Sequence, residues 1–225
     1  HSQVFTANKS IIFNINSNYP LSTIRDTTTS TNGSVTKSFG EYLISTNAVA
    51  SATATIQTNE RGNYVCGLGA CCEISIRIPV LPTGNQVGEW YYGDGTNGYG
   101  FGVDITGLYC FYTKNTIKTK IYRTNWNMDK LDGTGHSGVN LDLTLGTIFY
   151  IDFTWFGYGV VEWGIFKSSE TGRQKRIIVH RQAGSSGQLI DDPSQPITIS
   201  ASNGSTATAF TVATGGRSFS VFGEY

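Results

Sequence analysis

Between Gly146 and Val179 the chain reads GTIFYIDFTWFGYGVVEWGIFKSSETGRQKRIIV, and this stretch constrains the fold more than any other. Ile148, Tyr150, Asp152 and Thr154 alternate with Phe149, Ile151, Phe153 and Trp155, so a period of two puts one set on each face of a sheet. Gly157-Tyr158-Gly159 breaks the run and Val160–Phe166 resumes it, with Val161, Trp163 and Ile165 on one face. Gly172 supports a second reversal before a basic strand at Arg176–His180. Helical spacing accommodates so many β-branched and aromatic residues poorly. The segment predicts an antiparallel hairpin of 147–155 with 160–166, turning at Gly157–Gly159.

The rest of the chain extends the pattern. Strand-like runs occur at Phe39–Ser45, Ala52–Thr58, Glu73–Val80, Gly88–Tyr92, Tyr99–Asp104, Leu108–Thr113 and Thr116–Arg123. Further runs at Ile177–Gln182, Ile197–Ala201, Ala209–Ala213 and Arg217–Gly223 bring the number to about a dozen, with turn signals between them. This predicts an all-β antiparallel sandwich, concanavalin-like or jelly-roll, with no substantial helix. Residues 1–37 are polar, with a TTTSTNGS run and little apolar periodicity beyond Ile11–Ile15. They read as an arm or linker with one short strand, a point where a larger protein could attach, and 38–225 as the sandwich domain.

With 225 residues the chain can bury roughly 70% of its unfolded surface without staples. Sixteen basic and sixteen acidic residues give a formal net charge of zero, which argues against a nucleic-acid partner. The basic run 173–181 reads as the solvated flank of a hairpin. No apolar run reaches about 18 residues, so membrane insertion is not expected. The low charge is offset by Ser, Thr, Asn and 27 Gly, a composition of virion-surface or secreted β-proteins. Cys66, Cys71, Cys72 and Cys110 do not have zinc spacing and read as reduced core thiols, with one disulfide as the alternative.

Motifs for catalysis are weak. GTGHSG around His136 is not a nucleophile elbow, since no helix follows. Glu89 and Glu162 each precede a tryptophan, as glycosidase carboxylates could, yet read as outward strand residues. No catalytic residue, cofactor or metal site is expected. The loops Asp94–Gly98 and Asn127–Gly133 read as turns, calcium being the alternative. The strongest surface signal is aromatic. Tyr158, at a glycine-flanked tip, and Trp126 are candidate sugar-stacking residues. Asp94, Asn97, Asn127, Asp129 and Asp132 in nearby glycine loops are candidate acceptors for sugar hydroxyls.

A set of these motifs resembles a domain of virion structural proteins, found in fibre, spike and minor capsid components of large double-stranded DNA viruses and tailed phages. The resemblance spans about residues 40–225. It rests on a WNxDKLDG loop (Trp126, Asn127, Asp129–Gly133) followed by Gly135, Ser137 and Gly138. An LDLT strand (Leu141–Thr144), a turn with Trp155 and Gly157–Gly159, and the closing SFSVFGEY complete it. His136 stands where the pattern has proline. The resemblance implies a sandwich on a particle surface, a host-surface glycan or neighbouring capsid or fibre proteins as partners, and no catalytic residue; a secreted β-sandwich lectin or glycan-active enzyme is the alternative. Near-zero charge and the aromatic content add an expectation of self-association, as a homotrimer if the domain caps a fibre.

Overall fold

The computed structural model describes residues 9–155, 159–168, 174–184 and 187–223. Fifteen strands form two antiparallel sheets packed face to face, and the one helical piece among the described residues is a 3-10 turn, Arg123–Asn125. In chain order they are β1 (Lys9–Asn16), β2 (Asp26–Thr31), β3 (Gly33–Ser38), β4 (Glu41–Thr46), β5 (Thr53–Thr58), β6 (Gly69–Arg77), β7 (Val87–Gly93) and β8 (Gly98–Asp104). There follow β9 (Gly107–Lys114), β10 (Ile117–Tyr122), β11 (Thr147–Phe153), β12 (Val160–Ser168), β13 (Gln174–Ala183), β14 (Ile197–Ser202) and β15 (Phe210–Phe222).

One sheet runs β10-β9-β8-β7-β14-β5-β2. The other runs β13-β12-β11-β6-β15-β4-β3, with β1 also on β15. The strand β15 merges the two runs expected at 209–213 and 217–223. Its first half pairs with β4 and its second with β1, and the register shifts between Thr214 and Gly216. The hairpin expected at 147–166 forms as β11 and β12, with Ile151 opposite Trp163 and Phe153 opposite Val161. Gly157 and Tyr158 lie outside the described residues.

The expectation of a loose arm over 1–37 is corrected for residues 9–37. This segment contributes β1 and β2 and most of β3, all paired into the two sheets. Five of the six residues of β2 are exposed, so the strand carries no apolar alternation to read; its backbone pairing with β5 holds it. Asn32, at φ 50°, makes the turn that passes the chain from one sheet to the other.

Between the sheets, period-two alternation brings the large rings together. Trp90 lies 4.8 Å from Phe149, Phe101 4.9 Å from Phe149, and Tyr92 stacks on Phe219 at 4.9 Å and 8°. Into this apolar layer the protein inserts one ion pair. Arg217 of β15 meets Asp26 of β2 through two contacts of 3.0 and 3.1 Å, with the side chains 0% and 1% exposed. It links the two sheets and fixes how one sits on the other. A buried pair need not add stability over an apolar replacement, but a lone buried charge is costly. Arg217→Met alone should therefore lower unfolding free energy by about 3–5 kcal/mol. For a chain of this size that is a fall in melting temperature of roughly 6–20 °C. Adding Asp26→Leu should restore most of it. Calorimetry showing a single-variant loss under about 1 kcal/mol would remove the pair from this role.

Candidate functional site

The sequence candidates divide once they are placed. Trp126 is only 4% exposed; its indole nitrogen donates to the Ile121 carbonyl at 3.0 Å and its ring meets Phe101 edge-on. It is a core residue, and the stacking role is corrected. Asp129 is also buried, accepting from the Leu131 and Ser137 amides at 2.8 and 2.7 Å, which shapes its own loop. Asn97 is buried and accepts from the Asp191 amide at 3.0 Å. Asp94 and Asp132 close local turns onto Thr96, Asn97 and Thr134. Asn127 clasps the backbone of Arg181 in both directions, at 2.9 Å each way. Among the described residues no hydrogen bond joins loop 94–98 to loop 127–138. Tyr158 lies outside the described residues.

The loop from Trp126 therefore acts as a side wall, fastened to β13. The Met128 and Asp129 amides both donate to the Val179 carbonyl, and the Asn127 amide donates to His180 Nδ1 at 3.3 Å.

Glu89 and Glu162 do not share a cleft. Glu89 points outward from β7 in the seven-stranded sheet. Glu162 points outward from β12 in the other sheet, between Asp152 and Arg181. They sit on opposite surfaces of a sandwich whose sheets alone are about 10 Å apart. Among the described residues no group of three or more His, Cys, Asp or Glu side chains could hold a metal ion. The four cysteines are free, Cys66 exposed and the others buried, and burial pushes the Cys71, Cys72 and Cys110 thiols up.

A built site emerges on the outer face of the seven-stranded sheet. On β8, Gly98, Gly100 and Gly102 face outward while Tyr99, Phe101 and Val103 face the core. A Cβ on Gly100 would lie 2.3 Å from Tyr91 and 2.7 Å from the Phe111 ring, and one on Gly102 2.5 Å from the Tyr109 ring. The outward rings of β7 and β9 thus lie across a row of glycines. Above them pass the lysines of β10. Lys118 sits 4.5 Å over Phe111 and Lys120 4.2 Å over Tyr109.

Each ammonium ends on a carboxylate. Lys118 contacts both Glu89 oxygens at 2.6 Å, and Lys120 contacts Asp104 at 3.0 Å. Tyr109 donates to Glu89 and Tyr122 to Asp104, both at 2.8 Å. Burial raises the Asp104 carboxyl, but its bonds from Lys120, Tyr122 and the Thr106 amide outweigh that and hold it below the usual range. Burial first, then the Glu89 charge, push the Tyr91 phenol up to about 12, so it is a neutral donor at physiological pH.

Beyond Tyr91 the face changes character. Outward residues of β14, β5 and β2 are Thr198, Ser200, Ser202, Thr53, Thr55, Gln57, Thr27, Thr29 and Thr31, aligned by register into rows such as Thr29–Thr55–Ser200. At the other extreme, Asp104 borders a cavity of about 250 Å³ at the sandwich end, walled by Leu81, Ile105, Leu108, Arg123 and Leu143. The sequence reading missed this face because it is assembled across strands. The alternation of GYGFGVD and the KTK of β10 are its local signals, but their partnership needs the register.

No protein-family model matches the chain, and no curated protein matches it in sequence. Solved structures do match it in fold. Arcelin-5, a lectin-like defence protein from Phaseolus vulgaris, aligns at TM-score 0.55 and 9% identity over 97% of this chain and 100% of that one. A β-1,3-glucanase from Mycobacterium marinum aligns at 0.54 and 12% over 93% and 98%. Peanut lectin aligns at 0.53 and 11% over 96% and 98%. At such identities the likeness establishes the fold, a lectin-like antiparallel sandwich.

The side wall generates a pH prediction. His180 is buried, its Nε2 has no hydrogen-bond partner, and burial lowers its pKa despite an opposing contact from Gln182. The unfolded chain, with a pKa near 6.5, then binds the proton more readily than the folded one. Stability attributable to His180 is therefore full above about pH 6.5 and declines as pH falls towards the lower folded value. Urea unfolding at about pH 7.5 and about pH 5 should show that decline, and His180→Gln should flatten it over this window. Equal slopes in the two proteins would contradict the assignment.

Proposed function

We propose that this chain is a carbohydrate-binding sandwich that takes its ligand on the outer face of the seven-stranded sheet. The observation that carries the reading is the juxtaposition on that face. The partly exposed ring of Tyr91 adjoins rows of hydroxyl side chains from three further strands, while Tyr109 and Phe111 lie buried beneath Lys120 and Lys118. Aromatic faces suit the apolar faces of sugar rings, and hydroxyls and amides suit sugar hydroxyls. The lectins and the glucanase that share the fold support the reading.

We further propose binding without hydrolysis. Glu89 and Asp104 are each held by a lysine and a tyrosine, and Asp152 and Glu162 by Arg176 and Arg181, so these carboxylates serve ion pairs. The motif resemblance to virion proteins supports a place on a particle surface beside capsid or fibre proteins, as a homo-oligomer. Exposed Val80, Leu81, Ile105 and Leu145 around the sandwich end supply apolar surface for such contacts.

A glycan array followed by calorimetric titration tests the site. Tyr91→Ala should weaken the best ligand by about tenfold, the scale of one aromatic contact. Thr55→Val, which keeps shape and removes a hydroxyl, should weaken it without lowering the melting temperature. Asp132→Ala should leave affinity unchanged. The reverse pattern, loss only with Asp132→Ala, would return the site to the loops. Release of reducing sugar from the bound glycan would retire the non-enzymatic assignment.

A further inference from the structure

We infer that the glycan is uncharged, and that Glu89 and Asp104 are specificity residues that cancel the lysines which would otherwise draw acidic sugars; the inference rests on the glycan reading above. All seven strands of this sheet lie within the described residues, so their outward positions can be counted. Two cations face outward, Lys118 and Lys120, and two anions, Glu89 and Asp104. The sum is zero, and the pairing is one to one at 2.6 and 3.0 Å.

The pairs are held rather than incidental. Each lysine is about one-third exposed and lies over a ring, while each carboxylate is nearly covered and takes a second bond from a tyrosine. A sulfate or carboxylate approaching Lys118 therefore meets the Glu89 charge at almost the same distance. Attraction and repulsion cancel, and the acidic group still loses its hydration. A neutral sugar faces no such loss, and the uncharged rows of Thr, Ser and Gln offer it hydrogen bonds. Free lysines would turn the same face into a polyanion site, because two adjacent unpaired ammonium groups attract sulfated chains. The two acidic side chains thus exclude a whole ligand class without touching it, which is specificity achieved against the competitor.

The test uses an array carrying neutral, sialylated and sulfated glycans, with immobilised heparin as the acidic probe. The wild-type chain should bind neutral glycans only, and its affinity should change less than about twofold between about 50 and about 200 mM salt. Glu89→Gln combined with Asp104→Asn leaves both lysines uncompensated. That variant should gain heparin binding at least about tenfold above the wild type, lost again over the same salt range. Adding Lys118→Gln and Lys120→Gln should abolish the gain, which separates it from non-specific adhesion of a damaged fold. Preferential wild-type binding to sialylated or sulfated glycans, or no heparin gain in the double variant, would overturn the inference and leave the glycan reading standing. A wild-type chain that binds no glycan on the array would overturn the glycan reading itself.

Discussion

The surface of this protein depends on what β8 leaves out. A glycine inside a strand weakens it and usually marks a close approach by another group. Here two outward glycines in alternation, Gly100 and Gly102, leave room for the Phe111 and Tyr109 rings to lie across the sheet, while Gly98 lets the Tyr92–Gly93 backbone come close. Only because the rings lie across it can Lys118 and Lys120 run over them and reach Glu89 and Asp104. The opposite sheet repeats the device. Gly164 leaves room for Tyr150, whose ring would be 2.3 Å from a Cβ there; Arg176 stacks 3.9 Å above that ring and ends on Asp152 at 2.5 Å. Glycine, ring, cation and carboxylate form one stacked unit used on both outer faces. The faces differ in what surrounds the unit: the seven-stranded sheet continues into uncharged hydroxyl rows on three strands, whereas the opposite sheet sets its Ser34–Ser45–Thr211 row beside the Arg77–Glu41 ion pair.

Such a surface needs a platform that does not slide. Face-to-face sheets with an apolar interior specify their separation well and their relative position less well. The Trp90–Phe149 and Tyr92–Phe219 contacts interlock the layers, and the Arg217–Asp26 pair adds a directional link near the β2 edge. That link also explains why a strand as polar as β2 belongs to the fold, since its one buried residue is Asp26. A site spread over seven strands can then be pre-positioned without a mobile loop.

Much of the fold was legible in the sequence, because burying one face of a strand imposes a period of two. The hairpin of β11 and β12 and most strands after Phe39 show it. The polar strands β2 and β3 escaped because an edge strand with little buried surface has no such period. The site was less legible. Trp126 and the Asx-Gly loops looked like surface features, yet alternation cannot say which aromatic residue turns inward; Asp129 spends its polarity on the amides of its own loop and Asn127 on the backbone of Arg181 in β13. Glu89 was visible as an outward strand residue, but its meaning came from Lys118, which is 29 residues away in the chain and reaches it across the face. Cross-strand register, which sequence alone does not supply, made the difference.

The central claim is that ligand meets the outer face of the seven-stranded sheet. Amide chemical-shift mapping during titration with a neutral oligosaccharide selected from the array tests it most directly. Saturable shifts are expected at Thr55, Ser200 and Tyr91 on the adjacent strands β5, β14 and β7, and at Lys118 of β10, whose ammonium reaches Glu89 of β7. Shifts confined to the Asp129–Gly138 loop, or to the cavity lined by Ile105 and Leu143, would contradict it.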